Sequence, residues 1–415
     1  MTAPVADSPK KRVCMTVSTF GSKFAATRAE IYLDRLAANV HTLRTHIGPD
    51  TELMAVVKAD GYGHGAVAVG NAVIAAGASQ LAVYTPFEAF YLRKSEVSAP
   101  IVILGPIEPK HAHKCVAYDL TPCISSLPLA EALSAEAASA GKEVPFHLEV
   151  DTGLTRYGVL PHEVVPLVEA IGRLPHLRRE GLFTHFASAD EKSTDSVWKQ
   201  FKIFMKVRRH LEEEQLGFRI NHVANSAATL QFPEMHLDLV RCGISLYGYY
   251  PSPHVPRTVE LQPVMVLGSH LARVRTLPKG VGVSYGHDWR TEKRTAIGLV
   301  PFGYADGMPR TVQGKGHVLV RGRRTPIVGR VAMDQFMVDL SGVPDARQGD
   351  EVTIIGASGD DELTADEIAR WAGTISYDVL SGISQRVPRL YISDGRPVAE
   401  RLGMTTELTM IEAPA

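Results

Sequence analysis

The feature that most constrains this chain is an eightfold alternation. Between about residue 30 and residue 245, short apolar runs alternate with stretches of helical periodicity. Eight runs read as strands: 52–58 (ELMAVVK), 80–84 (QLAVY), 101–104 (IVIL), 121–125 (TPCIS), 145–151 (PFHLEVD), 180–185 (EGLFTH), 219–224 (RINHVA) and 238–242 (DLVRC). Helices are expected at 64–77, 127–141, 162–173 and about 193–216. Near-continuous apolar runs suit strands buried on both faces, which means a parallel sheet. Eight such units predict an α/β fold, a (β/α)8 TIM barrel. After about residue 262 the texture changes. Strand-like runs at 264–275, 296–300, 317–321, 325–331, 336–340 and 351–355 are punctuated by Gly and Pro. Only 364–371 reads as a helix, with Thr364 as N-cap and Glu367 completing a capping box. The expected organisation is a flexible N-terminal tail over 1–26 and a barrel over 27–262, whose first strand could pair with the C-terminal domain. A mainly β domain over 263–415 completes the chain.

Charge and cysteine use narrow the function. Lys plus Arg number 44 and Asp plus Glu 45, so the net charge of −1 offers no basic face for nucleic acid. No apolar run approaches the ~20 residues that span a bilayer. Cys14, Cys115, Cys123 and Cys242 are scattered with no CxxC pair, so neither a disulfide framework nor a metal site is expected. Lys10, Lys11 and Arg12 are followed by a stretch broken by Thr16, Ser18, Thr19 and Lys23, without a signal peptide's apolar core. A cytoplasmic location is the expectation.

In a barrel of this kind, chemistry belongs at the C-terminal strand ends. Lys58, Glu149, Asp151, Arg156, His185, His222, Arg241 and Gly243 all fall there, with Asn225 and Ser226 at a helix start. Lys58 follows Ala55-Val56-Val57 and precedes the Gly-rich turn Asp60-Gly61-Tyr62-Gly63-His64-Gly65. A lysine buried in such surroundings has a depressed pKa and becomes a nucleophilic amine, as a Schiff base with a carbonyl or with pyridoxal 5′-phosphate (PLP) requires. Ser226 and the turn Arg241-Cys242-Gly243-Ile244 follow the last two strands, where barrels often hold a phosphate. Taken singly, Lys58 could reach solvent and Ser226 could be a plain helix cap; together they favour PLP.

At these residues the chain closely resembles the alanine racemases, PLP enzymes built from a barrel and a β domain. The resemblance covers about residues 27–395 and rests on AVVKADGYGHGA at 55–66, DTGLTRYG at 151–158, THFASAD at 184–190, NSAAT at 225–229 and RCGISLYG at 241–248. VSYGHDW at 283–289, GYADGMPR at 303–310, GRVAMDQ at 329–335 and ISQRVPR at 383–389 continue it. It implies that Lys58 carries PLP and is one base, and that Tyr285 is the other, supplied across a head-to-tail homodimer. It further implies that Tyr62, Ser226, Gly243 and Ile244 hold the phosphate, and that Arg241 faces the pyridine nitrogen with His222 behind it. Arg156 and the Met333 N–H would bind the substrate carboxylate, and His185 would hydrogen-bond Tyr285. Tyr304, Asp190, Arg310, Arg330 and Ile383 would line an access corridor, with Asp334 nearby. Taken alone, Asp334 and Arg330 also read as a surface ion pair.

Four positions depart from the family pattern. Glu149 stands where many members carry a carbamylated lysine, and its carboxylate could supply the same charge to orient Arg156. Gln385 replaces a tyrosine that narrows the inner gate, so activity on serine is expected beside a preference for alanine. Tyr84 and Ala332 replace a small residue and a cysteine. The alternatives are a broader amino-acid (serine) racemase, a PLP-dependent decarboxylase and a non-catalytic PLP carrier. The decarboxylase lacks support because no Gly-Gly-Gly loop or EPGR motif is present, and the carrier because carriers have no β domain. A nucleotide-binding dehydrogenase is disfavoured because no GxGxxG turn opens a first βαβ unit.

Overall fold

A computed structural model of the chain describes residues 25–403 and 408–410. Most of the expected tail, with Cys14, lies outside the described residues. Ala26, at its end, is tied down: its carbonyl accepts from Ser269 Oγ at 3.2 Å and His270 Nδ1 at 3.0 Å.

The first strand, β1 (Arg28–Tyr32), precedes the eight expected ones. These follow as β2 (Glu52–Val56), β3 (Gln80–Val83), β4 (Ile101–Ile103), β5 (Thr121–Pro122), β6 (Val144–Glu149), β7 (Leu177–Phe183), β8 (Ile220–His222) and β9 (Leu239–Cys242). They form two parallel ladders, β5-β4-β3-β2-β9 and β6-β7-β8. Two seams join the ladders into a ring. A parallel bridge links Cys123 to His147, and the Ile124 N–H donates to the His147 carbonyl at 2.8 Å. On the other side the Arg241 N–H donates to the Ala224 carbonyl at 2.9 Å. The run at 121–125 contracts to two residues and this bridge, since Pro122 has no N–H for the ladder.

Helices fill the connections, among them Ala66–Ala75, Leu127–Ala140, Val164–Gly172 and Asp195–Glu213. The last buries Val197, Gln200, Phe204, Val207 and Leu211 at three- and four-residue spacing, the stripe that packs a helix on a barrel.

The C-terminal part is a curled sheet that among the described residues has twelve strands, β1 included. β1 pairs antiparallel with Met265–His270 and parallel with Arg389–Ser393. The strand that reaches the β-rich domain is therefore 28–32, not one of the eight: 52–58 stays in the barrel. The run 264–275 divides into Met265–His270 and Arg273–Leu277. The capping box of Thr364 and Glu367 opens the helix Ala365–Ala372. A second helix, Ser376–Ser381, follows it unforeseen, too short to show a period. Among the described residues no helix is long and apolar enough to cross a membrane.

Candidate active site

Lys58 lies just past the end of β2 rather than within it. Ala59, Asp60, Gly61 and Tyr62 that follow have φ of 51°, 54°, 63° and 53°, a left-handed turn. Non-glycine residues there cost ~1–2 kcal/mol each, so contacts must hold them. The Asp60 carboxylate accepts from both Arg401 Nη atoms at 2.8 and 2.7 Å and from the Ala66 N–H at 3.0 Å. Gly63 packs so closely on the β-rich domain that a Cβ would lie 2.1 Å from the Leu380 carbonyl oxygen. The turn is thus clamped between barrel and sheet. Burial pushes the Lys58 amine below the usual lysine range; Arg156 adds to this and Glu88 opposes it. Its Nζ is 5.9 Å from the centre of the Tyr84 ring.

Arg241, on β9, is buried and surrounded by acceptors. Nη1 donates to the His222 carbonyl at 3.0 Å and lies 2.8 Å from His222 Nδ1. Nη2 donates to the Thr184 carbonyl at 2.8 Å and lies 3.3 Å from His185 Nδ1. A guanidinium only donates, so both Nδ1 atoms are acceptors and both protons sit on Nε2. His222 Nε2 then donates to His147 Nδ1 at 3.0 Å. Burial holds His185 and His222 well below the usual histidine range and lowers His147 to about 3, so the relay is neutral. Burial also brings the Arg241 guanidinium down to about 10.

A hydroxyl-rich cradle lies across the mouth. Ser226 Oγ accepts from the Gly243 N–H at 2.9 Å and from Ser245 Oγ at 3.0 Å. A Cβ on Gly243 would meet the Tyr62 hydroxyl at 2.4 Å, so only glycine lets that phenol approach. Tyr62 in turn stacks on Tyr247 with ring centres 4.9 Å apart. Asn225 caps the short helix beginning at Ser226, and Ile244 is buried.

Glu149 ends β6 and is 3% exposed. Its Oε1 is 3.6 Å from Arg156 Nη2, and among the described residues Oε2 has no partner. Burial raises its carboxyl, while Arg156 and Arg241 pull it down.

The β-rich domain holds its expected residues differently. Tyr285, Met333 and Tyr304 are 70%, 52% and 42% exposed. Tyr285 borders a cavity of about 540 Å³ with Arg273, Arg275, His287, Gln335 and Met337, all from the β-rich domain. Arg310 lies over the Tyr304 ring at 5.8 Å. Ile383 is buried, Gln385 is exposed and Asp190 is half-buried. Asp334 and Arg330 do not pair with each other: Asp334 accepts from Arg386 at 2.8 Å and Arg330 donates to Asp288 at 2.6 Å. Each aspartate lies on the loop that its own arginine faces, which the sequence spacing cannot show.

Three neighbours of the site were not foreseen. His147 extends the Arg241–His222 line, and its place two residues before Glu149 on β6 was the available signal. Gln200 accepts from the Ala187 N–H at 3.0 Å and donates to the His185 carbonyl and Thr152 Oγ1, each at 3.1 Å. Glu88 reaches the turn after Lys58, a contact between residues 29 apart in sequence.

The family model for the alanine racemase N-terminal domain matches residues 31–251, and that for the C-terminal domain matches 264–391. The alanine racemase of Desulforamulus reducens is 43% identical over 88% of this chain and 98% of its own length. That of Desulfovibrio desulfuricans is 44% identical over 88% and 97%. Among solved structures, alanine racemase from Bacillus anthracis with bound L-Ala-P has a TM-score of 0.86 at 36% identity, covering 91% of this chain and 97% of that one.

Proposed function

The chain belongs to the alanine racemase family of isomerases, and from that premise we propose that it interconverts L- and D-alanine with two bases, Lys58 and Tyr285 of the partner subunit. The observation that carries this reading is the half-buried Lys58 amine, at the mouth that also holds a donor-only guanidinium and a hydroxyl cradle. These groups fit PLP. Lys58 would hold its carbonyl carbon, Tyr62, Ser226, Gly243 and Ile244 its phosphate, and Arg241 its ring nitrogen, with His222 fixing the guanidinium. When bound, the cofactor withdraws electrons from the amino acid's α-carbon and acidifies its C–H bond.

The chain's own groups then move the proton. Racemisation takes it from one face and returns one to the other, which a single fixed base cannot do. Lys58 Nζ serves one face and the phenolic oxygen of Tyr285 of the partner subunit the other. In this reading Arg156 supplies the positive charge beside that phenol. His185 accepts the orientation that Arg241 and Gln200 impose and presents Nε2–H to that phenol. Arg156, with the backbone N–H of the partner's Met333, binds the substrate carboxylate, and Glu149 supplies the fixed negative charge that orients Arg156. Arg241 has no proton to give up at neutral pH, so the nitrogen it faces keeps its lone pair. Tyr304, Asp190, Arg310, Arg330 and Ile383 line the approach, with Asp334 beside it. Gln385 widens the inner gate enough to admit serine. We place the reaction in the cytoplasm, in keeping with the buried free thiols of Cys115, Cys123 and Cys242. The relatives favour neither a decarboxylase nor a PLP carrier.

The test is chiral chromatography of amino acids incubated with the protein and added PLP. Either alanine enantiomer should become an equal mixture, and borohydride trapping should leave a pyridoxyl group on Lys58. No interconversion of alanine, or a label elsewhere, overturns the reading.

A further inference from the structure

We infer that Glu88 is a positioning residue for the Lys58 amine, its carboxylate bridging the ends of β2 and β3. The inference rests on the reading of Lys58 as the cofactor-bearing base.

Glu88 is the third residue of the helix Pro86–Lys94, whose N-cap is Thr85. Its Oε2 accepts from the Thr85 N–H at 2.9 Å, the Tyr84 N–H at 2.9 Å and Thr85 Oγ1 at 3.2 Å. That satisfies the cap. Its Oε1 reaches back to the residue after Lys58 and accepts from the Ala59 N–H at 2.7 Å. The molecule contains a comparison for this arrangement. In the other capping box, Glu367 Oε2 accepts from the Thr364 N–H at 3.4 Å, while Oε1 accepts from Arg324 at 2.9 Å on the surface. Capping therefore does not require the second oxygen to approach the Lys58 turn.

The turn does require it. Because the chain enters a left-handed path at Ala59, that N–H is not drawn into a regular helical ladder. Fixing it fixes the direction in which the Lys58 side chain leaves the backbone. The same carboxylate fixes Tyr84, whose ring packs on Gly105, where a Cβ would meet it at 3.0 Å, and faces the Lys58 amine. One anion thus sets both the amine and its aromatic wall. Among the described residues, the charged and titratable groups that face that amine are Arg156, Glu88, His185 and the Tyr84 phenol. Among them Glu88 is the anion that favours its protonated form.

The experiment compares the holoenzyme with Glu88→Gln, Glu88→Asp and Glu367→Gln. It measures kcat and KM for alanine, Tm, and the pH at which the bound cofactor's absorbance changes. Glu88→Gln should lower kcat by about ten- to a hundredfold, the cost of a misplaced reacting group, and leave KM within about threefold. Its absorbance transition should move to lower pH, because the charge favouring the protonated nitrogen is gone. Glu88→Asp keeps the charge but is too short to span both strands, so kcat should fall without that movement. Glu367→Gln should lower Tm comparably and leave kcat and the transition unchanged. If Glu88→Gln matches Glu367→Gln in kcat and in the transition, Glu88 is a helix cap only and the inference is overturned. A wild-type protein that never acquires the absorbance or never racemises alanine overturns the underlying reading instead.

Discussion

The barrel residues expected at the site and those on the β-rich domain are held in opposite ways. Arg241 is 3% exposed and His222 is 0% exposed, and Arg241 spends its donors on backbone carbonyls and ring nitrogens. Tyr285, by contrast, is 70% exposed beside a cavity lined from its own domain. A buried group whose two terminal nitrogens are already hydrogen-bonded is preorganised before any substrate arrives. An exposed phenol is not, and it gains a fixed geometry only when another surface covers it. The barrel groups are assembled within one chain; under the proposed function a second copy would cover the exposed Tyr285.

Subunit mixing breaks this comparison most directly. Lys58→Ala and Tyr285→Phe should each reduce racemisation by more than about a thousandfold alone, as loss of a base does. Co-refolded in equal amounts, half the dimers are mixed and each mixed dimer has one intact site. About a quarter of wild-type activity should return if Lys58 and Tyr285 meet across the interface. Recovery no greater than the sum of the two parents would mean that they meet within one chain.

The neutral relay and the buried His64 give the barrel half a pH signature. His147 and His64 are held at about 3 and about 4 by burial. The unfolded chain binds protons at ~6.5 that the folded chain refuses. Their contribution is therefore fully present above pH ~6.5 and is lost as pH falls toward the folded values. At pH 5 the loss is about 2 kcal/mol for each. Urea unfolding at pH 7 and pH 5 should show this drop, and His147→Asn should reduce it by about the His147 share; an equal drop in the variant removes His147 from the account.

Legibility followed the same division. The eight parallel strands were readable because burial on both faces leaves apolar runs, and their ends located Lys58, Glu149, His185, His222 and Arg241. β1 was not, because its partners Met265–His270 and Arg389–Ser393 lie more than two hundred residues away and it runs straight into the helix Leu33–Ile47. The bridge from Glu88 to Ala59 was hidden for a related reason: a capping box announces where one carboxylate oxygen goes and is silent about the other. The roles of Tyr285 and Met333 rested on resemblance alone, since nothing local marks an exposed side chain as part of a site.

Glu149 sharpens the contrast at the barrel mouth. It is buried, yet the arginine it faces is 45% exposed. Glu149→Gln keeps the shape and removes the charge, so KM for alanine should rise by about tenfold, a weakened charge-assisted contact, with kcat nearly unchanged. A KM equal to wild type would show that Arg156 is oriented without it.

The smallest effect is expected at Gln385, where specificity rather than rate is at stake. The backbone around it is pinned independently of its side chain: Arg389 donates to the Ile383 and Val387 carbonyls, each at 2.6 Å. Gln385 itself points into solvent in the single chain. Replacing it with tyrosine therefore changes the proposed gate without reshaping the loop. A hydroxyl-bearing substrate differs from alanine by little in a roomy polar gate, and by about a few-fold more in one narrowed by an aromatic ring. The ratio of kcat/KM for alanine over serine should rise by that amount in Gln385→Tyr, with activity on alanine within about twofold of wild type. If the ratio stays where it was, selectivity is set deeper in the barrel mouth, where Tyr84 walls the Lys58 amine, and Tyr84→Ala becomes the variant that should move it.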